Sequence, residues 1–499
     1  MSIRRVPSPG APGRYVRKSD RDARLARHFP IPTQIVSNEE YEPLPQTRRQ
    51  RDVERLLLDL ADRHAPLHGV DRRTFLRSAS GMAAAFVALN AVFGRFFTVT
   101  AEELASPGAT KAPADDYFVL DVQTHHVDAS LPPNAADKAF FDYLLGVRRF
   151  GGMWNEKLKD REIAPEELHR QNFIKEIFLD SQTDVIVISG LPQWMADTYP
   201  ISPESIAKTR DLVNELTGSK RAIGHGVMSP ELGTKGLESM QAQVERLQLG
   251  SWKGYPGQPL GPDGTGWWLD DEKIAYPALE LARKLGVKNI CLHKGLPAPG
   301  FSPEHCNPKD IHRAAKDFPD LNFLVYHAGL KSVHEILPAI QKEFAESSDV
   351  PWVSDLCAWK KANPEVKNVY MELGSTFGMT AITLPILCGH ILGMILDAFG
   401  EDHLLWGTDA IWWGSPQWQI EAFKRFEMPE TLTKRFGWKP LTRDVKAKVL
   451  GLNAARVYGV DPKAARGPFP DDAIDRLRTL SRDLGGSIPS NTQYGWVRV

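Results

Sequence analysis

A (β/α)8 barrel is the fold class this sequence predicts, and three observations predict it. Eight short apolar runs recur in order between residues 117 and 409. Stretches with helical spacing lie between them. Several runs end on polar residues: YFVLD leads into Gln123, His125 and His126, VKNICL into His293, LNFLVY into His327, and LLW through Gly407-Thr408 into Asp409. A strand buried on both faces reads as a continuous apolar run. In a closed barrel the chemistry sits where such strands end. Imidazoles and a carboxylate at four strand ends therefore point to one converging site, with ligand types that suit zinc, manganese or iron.

In order, strands are expected at 117–122, 183–190, 221–228, 248–255, 287–293, 321–327, 368–374 and 403–409. Helical patterns separate them at Pro203 to Thr217, which opens on a helix-compatible proline, at Leu232 to Leu247, at Ala275 to Leu285 and at 331–345. Strands alternating with helices imply parallel βα units. An open doubly wound sheet would carry a glycine-rich phosphate turn after its first strand, and Asp121-Val122-Gln123-Thr124-His125 is not one. The crossover 129–181 is long enough for two helices, at 135–147 and 166–179, covering the mouth. Trp252 to Asp271 is a long loop rich in Gly, Pro and aromatics, a type that is usually functional. Trp267, Trp268, Trp412 and Trp413 fit an aromatic pocket and core packing equally well.

The chain divides into four regions. Residues 1–70 are basic, broken by Pro and Gly, and expected to be largely disordered apart from a short helix at 51–64; residues 1–77 carry 16 Lys+Arg against 10 Asp+Glu. Residues 71–101 pair Arg72-Arg73 with Phe75-Leu76, Arg77 and the apolar stretch Ala79 to Gly94, and so resemble a twin-arginine export signal. Residues 115–460 hold the barrel, and 461–499 form a tail with a short helix at 471–483. The signal reading implies an exported or periplasmic protein and the twin-arginine machinery as a partner; without a working signal the protein is cytoplasmic. A net charge of −1 gives no reason to expect nucleic acid. Four cysteines without C-x-x-C spacing exclude a cysteine-rich zinc site.

Asp121-x-Gln123-x-His125, His293, His327-Ala328-Gly329, Gly407-Thr408-Asp409 and the closing stretch Leu452 to Tyr458 occur in the order and spacing of a known family. On these motifs residues 117–460 resemble the amidohydrolase superfamily, in its amidohydrolase-related (type 2) branch. The resemblance implies one divalent metal ion, zinc or manganese, at the barrel mouth. Its ligands would be Gln123, His125, His293 and Asp409, with His327 and Asp409 as the catalytic acid/base pair. Gln123 departs from the pattern, which has His or Glu there; an amide oxygen is a weaker ligand and favours oxygen-loving ions or a metal-free site. Lys253, after the fourth strand, is a candidate contact for a substrate carboxylate. His126 and His225 read as structural, and Glu372 reads either way.

The expected activity is metal-dependent hydrolysis of a small ester, lactone or amide by a metal-activated water. The alternatives are non-oxidative decarboxylation of an aromatic or unsaturated acid and a metal-free binding protein on the same scaffold. A small-molecule substrate and a homo-oligomer are expected.

Overall fold

Short runs of β-branched and apolar residues form the strands of the barrel. The computed structural model describes residues 15–18, 21–22, 29–36, 44–105, 117–127, 169–193, 199–260, 264–298, 300–331, 336–411, 414–466, 473–483 and 496–498. Strand β1 is Leu120–Thr124 and β2 is Val185–Ile188. Strand β3 runs as two halves, Ala222–Gly224 and Gly226–Met228. Next come β4 (Trp252–Gly254), β5 (Asn289–Leu292), β6 (Asn322–Val325), β7 (Val369–Glu372) and β8 (Leu404–Leu405). All neighbours pair in parallel.

Two local features close this ring. At His225 the third strand changes partner: its N–H donates to the Ile188 carbonyl, and the Gly226 N–H donates to Ser251. Between β8 and β1, Val122 donates to Trp406 at 3.0 Å, Asp409 to Gln123 at 3.0 Å and His125 to Ala410 at 2.6 Å. The barrel interior is a separate apolar core that includes Leu120, Val122, Val185, Val187, Cys291, Leu324, Tyr326 and Leu405. The closing helix Asn453–Tyr458 plugs its floor with Ala454 and Ala455.

Every strand but the first, which runs two residues past its expected end, lies within its expected run, and each is shorter. The last keeps only two residues, because Gly407 to Asp409 leave the ladder to enter the site. The Pro203–Thr217 helix matches its pattern, with Ser202 capping its N-terminus and Gly218 left-handed after its end. The helix expected over 135–147 lies outside the described residues; 170–179 is helical, with a wide last turn. Helix Pro385–Phe399, which the reading above lacks, is buried nearly all round and so shows no amphipathic period.

Several stretches of the N-terminal region pack against the barrel. Helix Arg48–His64 is closed by a Thr47/Gln50 capping box and buries Val53, Leu57 and Ala61. Residues 29–36, which lie within the stretch expected to be disordered, are buried against the same core. A charged network anchors them: buried Glu54 accepts from Arg21 at 2.7 Å and from Thr33 at 2.5 Å. The signal-like stretch folds into helices Arg72–Leu76 and Ala79–Phe93, capped by Asp71 and Ser78. Their close crossing requires Gly81, where a Cβ would lie 2.3 Å from the Phe75 carbonyl oxygen. Phe75, Leu76 and Phe86 are fully buried. Phe97 packs edge-on against Phe426, and Thr98 donates to the Arg425 carbonyl at 2.8 Å. Buried Arg425 pairs with Glu103 at 2.6 Å. Residues 48–105 thus form a helical wall fixed to the barrel's outer layer. No described helix is long and apolar enough to cross a membrane.

Candidate active site

The first strand carries a β-bulge that builds the site. Between Asp121 and Thr124, three steps along β1 face only two along β2. The extra residue resets the alternation, so Leu120 and Val122 fill the barrel core while Gln123 and His125 reach the site above it. Asp121 holds the bulge: one of its oxygens accepts from the backbone N–H of Gln123 at 3.1 Å and of Thr408 at 3.0 Å. The Thr408 hydroxyl bonds its other oxygen. Asp121 therefore ties β1 to β8 beneath the site. Burial pushes its carboxyl up to about 7 against these donors.

Gln123, His125, His293, His327 and Asp409 form one connected set. Asp409 Oδ1 accepts from the Gln123 amide at 2.9 Å and lies 3.2 Å from His125 Nε2. Asp409 Oδ2 accepts from the Ser375 hydroxyl at 2.6 Å. His327 Nε2 lies 3.1 Å from His293 Nδ1 and 3.4 Å from the Gln123 amide nitrogen. Backbone carbonyls set two tautomers. His125 Nδ1–H donates to Ser189 at 3.1 Å, and His293 Nε2–H donates to Leu296 at 2.9 Å. A neutral His293 then accepts at Nδ1 from His327 Nε2–H, leaving His327 Nδ1 as a buried base without a partner.

The charge states follow from burial and neighbours. Burial drives the His327 imidazole down to about 3, with the Asp409 charge working the other way. Burial, then His327 and Lys253, lower His293 as well. Burial works to raise Asp409, but His125, His327 and the Ser375 hydroxyl more than offset it and hold the carboxyl well below the usual range. Neutral His293 and His327 thus lie in one set with an ionised carboxylate.

Two of these side chains sit on backbone that L-residues avoid. His327 and Ala328 are both left-handed, at φ 60° and 53°, and Asp409 has φ 59°. Such a conformation costs roughly 1–2 kcal/mol per residue and is held here by surrounding contacts.

The donor chemistry fits a single divalent cation. A metal-binding imidazole has its other nitrogen fixed by a carbonyl or carboxylate, and His125 and His293 each have one ring N–H fixed by a carbonyl. Asp409 is ionised, and the Gln123 amide oxygen is buried without a partner. Among the described residues no three His, Cys, Asp or Glu side chains already gather as a metal cluster. The Gln123 amide oxygen would therefore have to complete the set.

Lys253 lies inside the barrel on β4, fully buried, with its Nζ 3.7 Å from the Tyr326 ring centroid and no hydrogen-bond partner. Burial lowers it to about 8, against the opposing charges of Glu372 and Asp409. His126 is structural as expected, bonded to the Thr209 hydroxyl at 2.9 Å. His225 joins Ser189 and Tyr458 below the site. Trp267 is a packing residue in the core, Trp268 lies beside His305 and Lys309, and Trp412 and Trp413 lie outside the described residues. The sequence reading assigned no role to Asp121, Ser375 or Thr376. The Asp-x-Gln spacing was the one available signal for Asp121.

The fold is a (β/α)8 barrel whose buried polar side chains gather at the C-terminal ends of its strands. Residues 238–460 match the amidohydrolase family model. Gln123 and His125 lie outside the matched stretch, which contains Lys253, His293, His327 and Asp409. No curated protein matches the sequence. Three solved structures illustrate the likeness. A 5-carboxyvanillate decarboxylase from Sphingomonas paucimobilis is 13% identical, with 69% of this chain and 100% of that one covered and a TM-score of 0.41. A 2,6-dihydroxybenzoate decarboxylase from Rhizobium is 13% identical over 69% and 99%, with a TM-score of 0.37. A probable 2-pyrone-4,6-dicarboxylic acid hydrolase from Acinetobacter baumannii is 11% identical over 68% and 99%, with a TM-score of 0.40.

Proposed function

We propose that this protein hydrolyses a small ester, lactone or amide at the barrel mouth. The observation that carries the reading is the buried set in which neutral His327 lies against His293 while ionised Asp409 accepts from Gln123 and Ser375. His125, His293 and Asp409 would hold one divalent cation, zinc or manganese, with the Gln123 amide oxygen as a weak fourth ligand. When bound, that ion supplies Lewis acidity, lowering the pKa of a water and polarising the substrate carbonyl. His327 takes the proton of the attacking water at its unpartnered Nδ1. Asp409 stays ionised and stabilises the imidazolium that forms. The same proton then passes to the departing alkoxide or amine, which restores the neutral ring.

A second reading is decarboxylation of an aromatic or unsaturated acid. It is favoured by Lys253, a buried amine without a hydrogen-bond partner, which suits a substrate carboxylate.

Two measurements test the proposal. Elemental analysis of the wild type should find about one Zn or Mn per chain, and the His125→Ala/His293→Ala double variant should lose it. The wild type should turn over members of an ester and lactone panel without releasing CO2. CO2 from a hydroxylated aromatic acid, with the esters untouched, would replace the first reading by the second. No metal in either protein after Zn2+ and Mn2+ supplementation would remove the cation from both.

A further inference from the structure

The last residue of β7 and the four that follow it, Glu372-Leu373-Gly374-Ser375-Thr376, touch both ends of the proton path. Glu372 is fully buried and accepts two backbone N–H bonds, from His327 at 3.0 Å on one oxygen and from Gly374 at 2.6 Å on the other. The Thr376 hydroxyl donates to the His327 carbonyl at 2.6 Å. The N–H and the C=O of left-handed His327 are therefore both held by one neighbouring segment. Ser375, between them, bonds Asp409. The barrel makes room for this arrangement with two bare positions. A Cβ on Gly407 would lie 1.7 Å from Glu372 Oε1, and one on Gly374 would lie 2.8 Å from both His327 Nδ1 and Gln123 Oε1.

Neither Glu372 nor Thr376 is among the groups assigned to bind or transfer anything. Buried Glu372 spends its acceptors on backbone N–H groups rather than on a base or a ligand. We propose that Glu372 and Thr376 are positioning residues that clamp the His327 backbone in its left-handed turn and so aim the imidazole along the Asp409–Gln123 line. The clamp rests on the reading of His327 as the proton carrier, but its geometry does not depend on which bond is broken.

The test uses the full chain carrying Glu372→Gln, Thr376→Val or Thr376→Ser. Glu372→Gln keeps the shape but turns an amide NH2 toward one of two N–H donors. Thr376→Val removes the donor to the His327 carbonyl, and Thr376→Ser retains it. With a substrate turned over by the wild type, the first two should lower kcat by about 100-fold with KM changed less than about threefold. Thr376→Ser should stay within about threefold of the wild type. The second readout needs no substrate: 15N spectra of the histidine side chains, with His327→Gln used for assignment. The His327 signals should move in Glu372→Gln and Thr376→Val and keep their place in Thr376→Ser. A wild type inert on every substrate would defeat the hydrolase reading and leave the clamp to the spectra. Unmoved His327 signals in both Glu372→Gln and Thr376→Val would overturn the clamp, and so would an unchanged kcat in an active enzyme. If Glu372→Gln does not fold, the Thr376 pair decides.

Discussion

At the barrel mouth, His327, Ala328 and Asp409 occupy left-handed backbone and buried polar atoms of Gln123, Lys253 and His327 have no hydrogen-bond partner. In the N-terminal wall, helices 48–64 and 79–93 carry side-chain N-caps, and Phe75, Phe86 and Phe97 fill the interior. The charges at the wall's edge are paired, Arg425 with Glu103 and Arg21 with Glu54. Left-handed backbone marks the mouth and is absent from the described non-glycine residues of the wall, although His64 Nδ1 and Ser80 Oγ in the wall also lack partners. Sequences usually break local rules where function requires it, so the comparison itself supports the placement of chemistry at the mouth. It also makes the wall a source of stability for the mouth.

Four substitutions break or sharpen this contrast. The largest effect is expected from His327→Ala, which should cut kcat/KM by about 10³–10⁴ while moving the urea midpoint little. A variant that unfolds early instead would place His327 among the stabilising residues. Phe86→Ala should do the opposite. It should cost about 3–5 kcal/mol of stability in urea unfolding and leave activity per folded molecule intact; lost activity without lost stability would couple the wall directly to the site. Gly407→Ala drives a methyl into Glu372 and should lower kcat about 100-fold, with a smaller stability loss than Phe86→Ala.

The smallest effect concerns pH. Burial lowers the His126 imidazole from 6.5 to about 3. Between those values the unfolded chain binds a proton that the folded chain does not. This contribution to stability is therefore present above pH 6.5 and is lost as pH falls toward 3. Urea unfolding at pH 6 and pH 5 should show a slope shallower by up to about 1.4 kcal/mol per pH unit in His126→Gln, and an unaltered slope in Phe86→Ala. Equal slopes in all three proteins would mean that the mouth side titrates no more than the wall.

The barrel was legible because its strands are apolar runs and its site residues are the polar groups that interrupt them. His293, His327 and Asp409 could be located this way, and Gln123 and His125 by sharing a face two residues apart. What could not be read depends on shape or on distance. Nothing in His327-Ala328 announces a left-handed pair, because neither residue is glycine. Glu372 to Thr376 reads as a strand end followed by a helix start, and its bonds to His327 and Asp409 arise only when β6, β7 and β8 lie side by side. The signal-like segment is a separate case. An export h-region and a buried helix have the same composition, and the barrel residue that Phe86 of helix 79–93 meets, Arg425, is far away in the chain.

That distance also fixes a time. Thr98 and Arg425, which join the wall to the barrel, are 327 residues apart. At about 5–20 residues per second, synthesis separates their appearance by roughly 16–65 s. Until then one face of helix 79–93 has no barrel to rest on, and the neighbouring Arg72-Arg73 and Phe75-Leu76 have only their own helices for cover. The nascent chain therefore shows an apolar face that the finished protein conceals. Any factor that reads that face has this interval in which to do so, whereas Arg72 and Arg73 stay exposed in the folded chain.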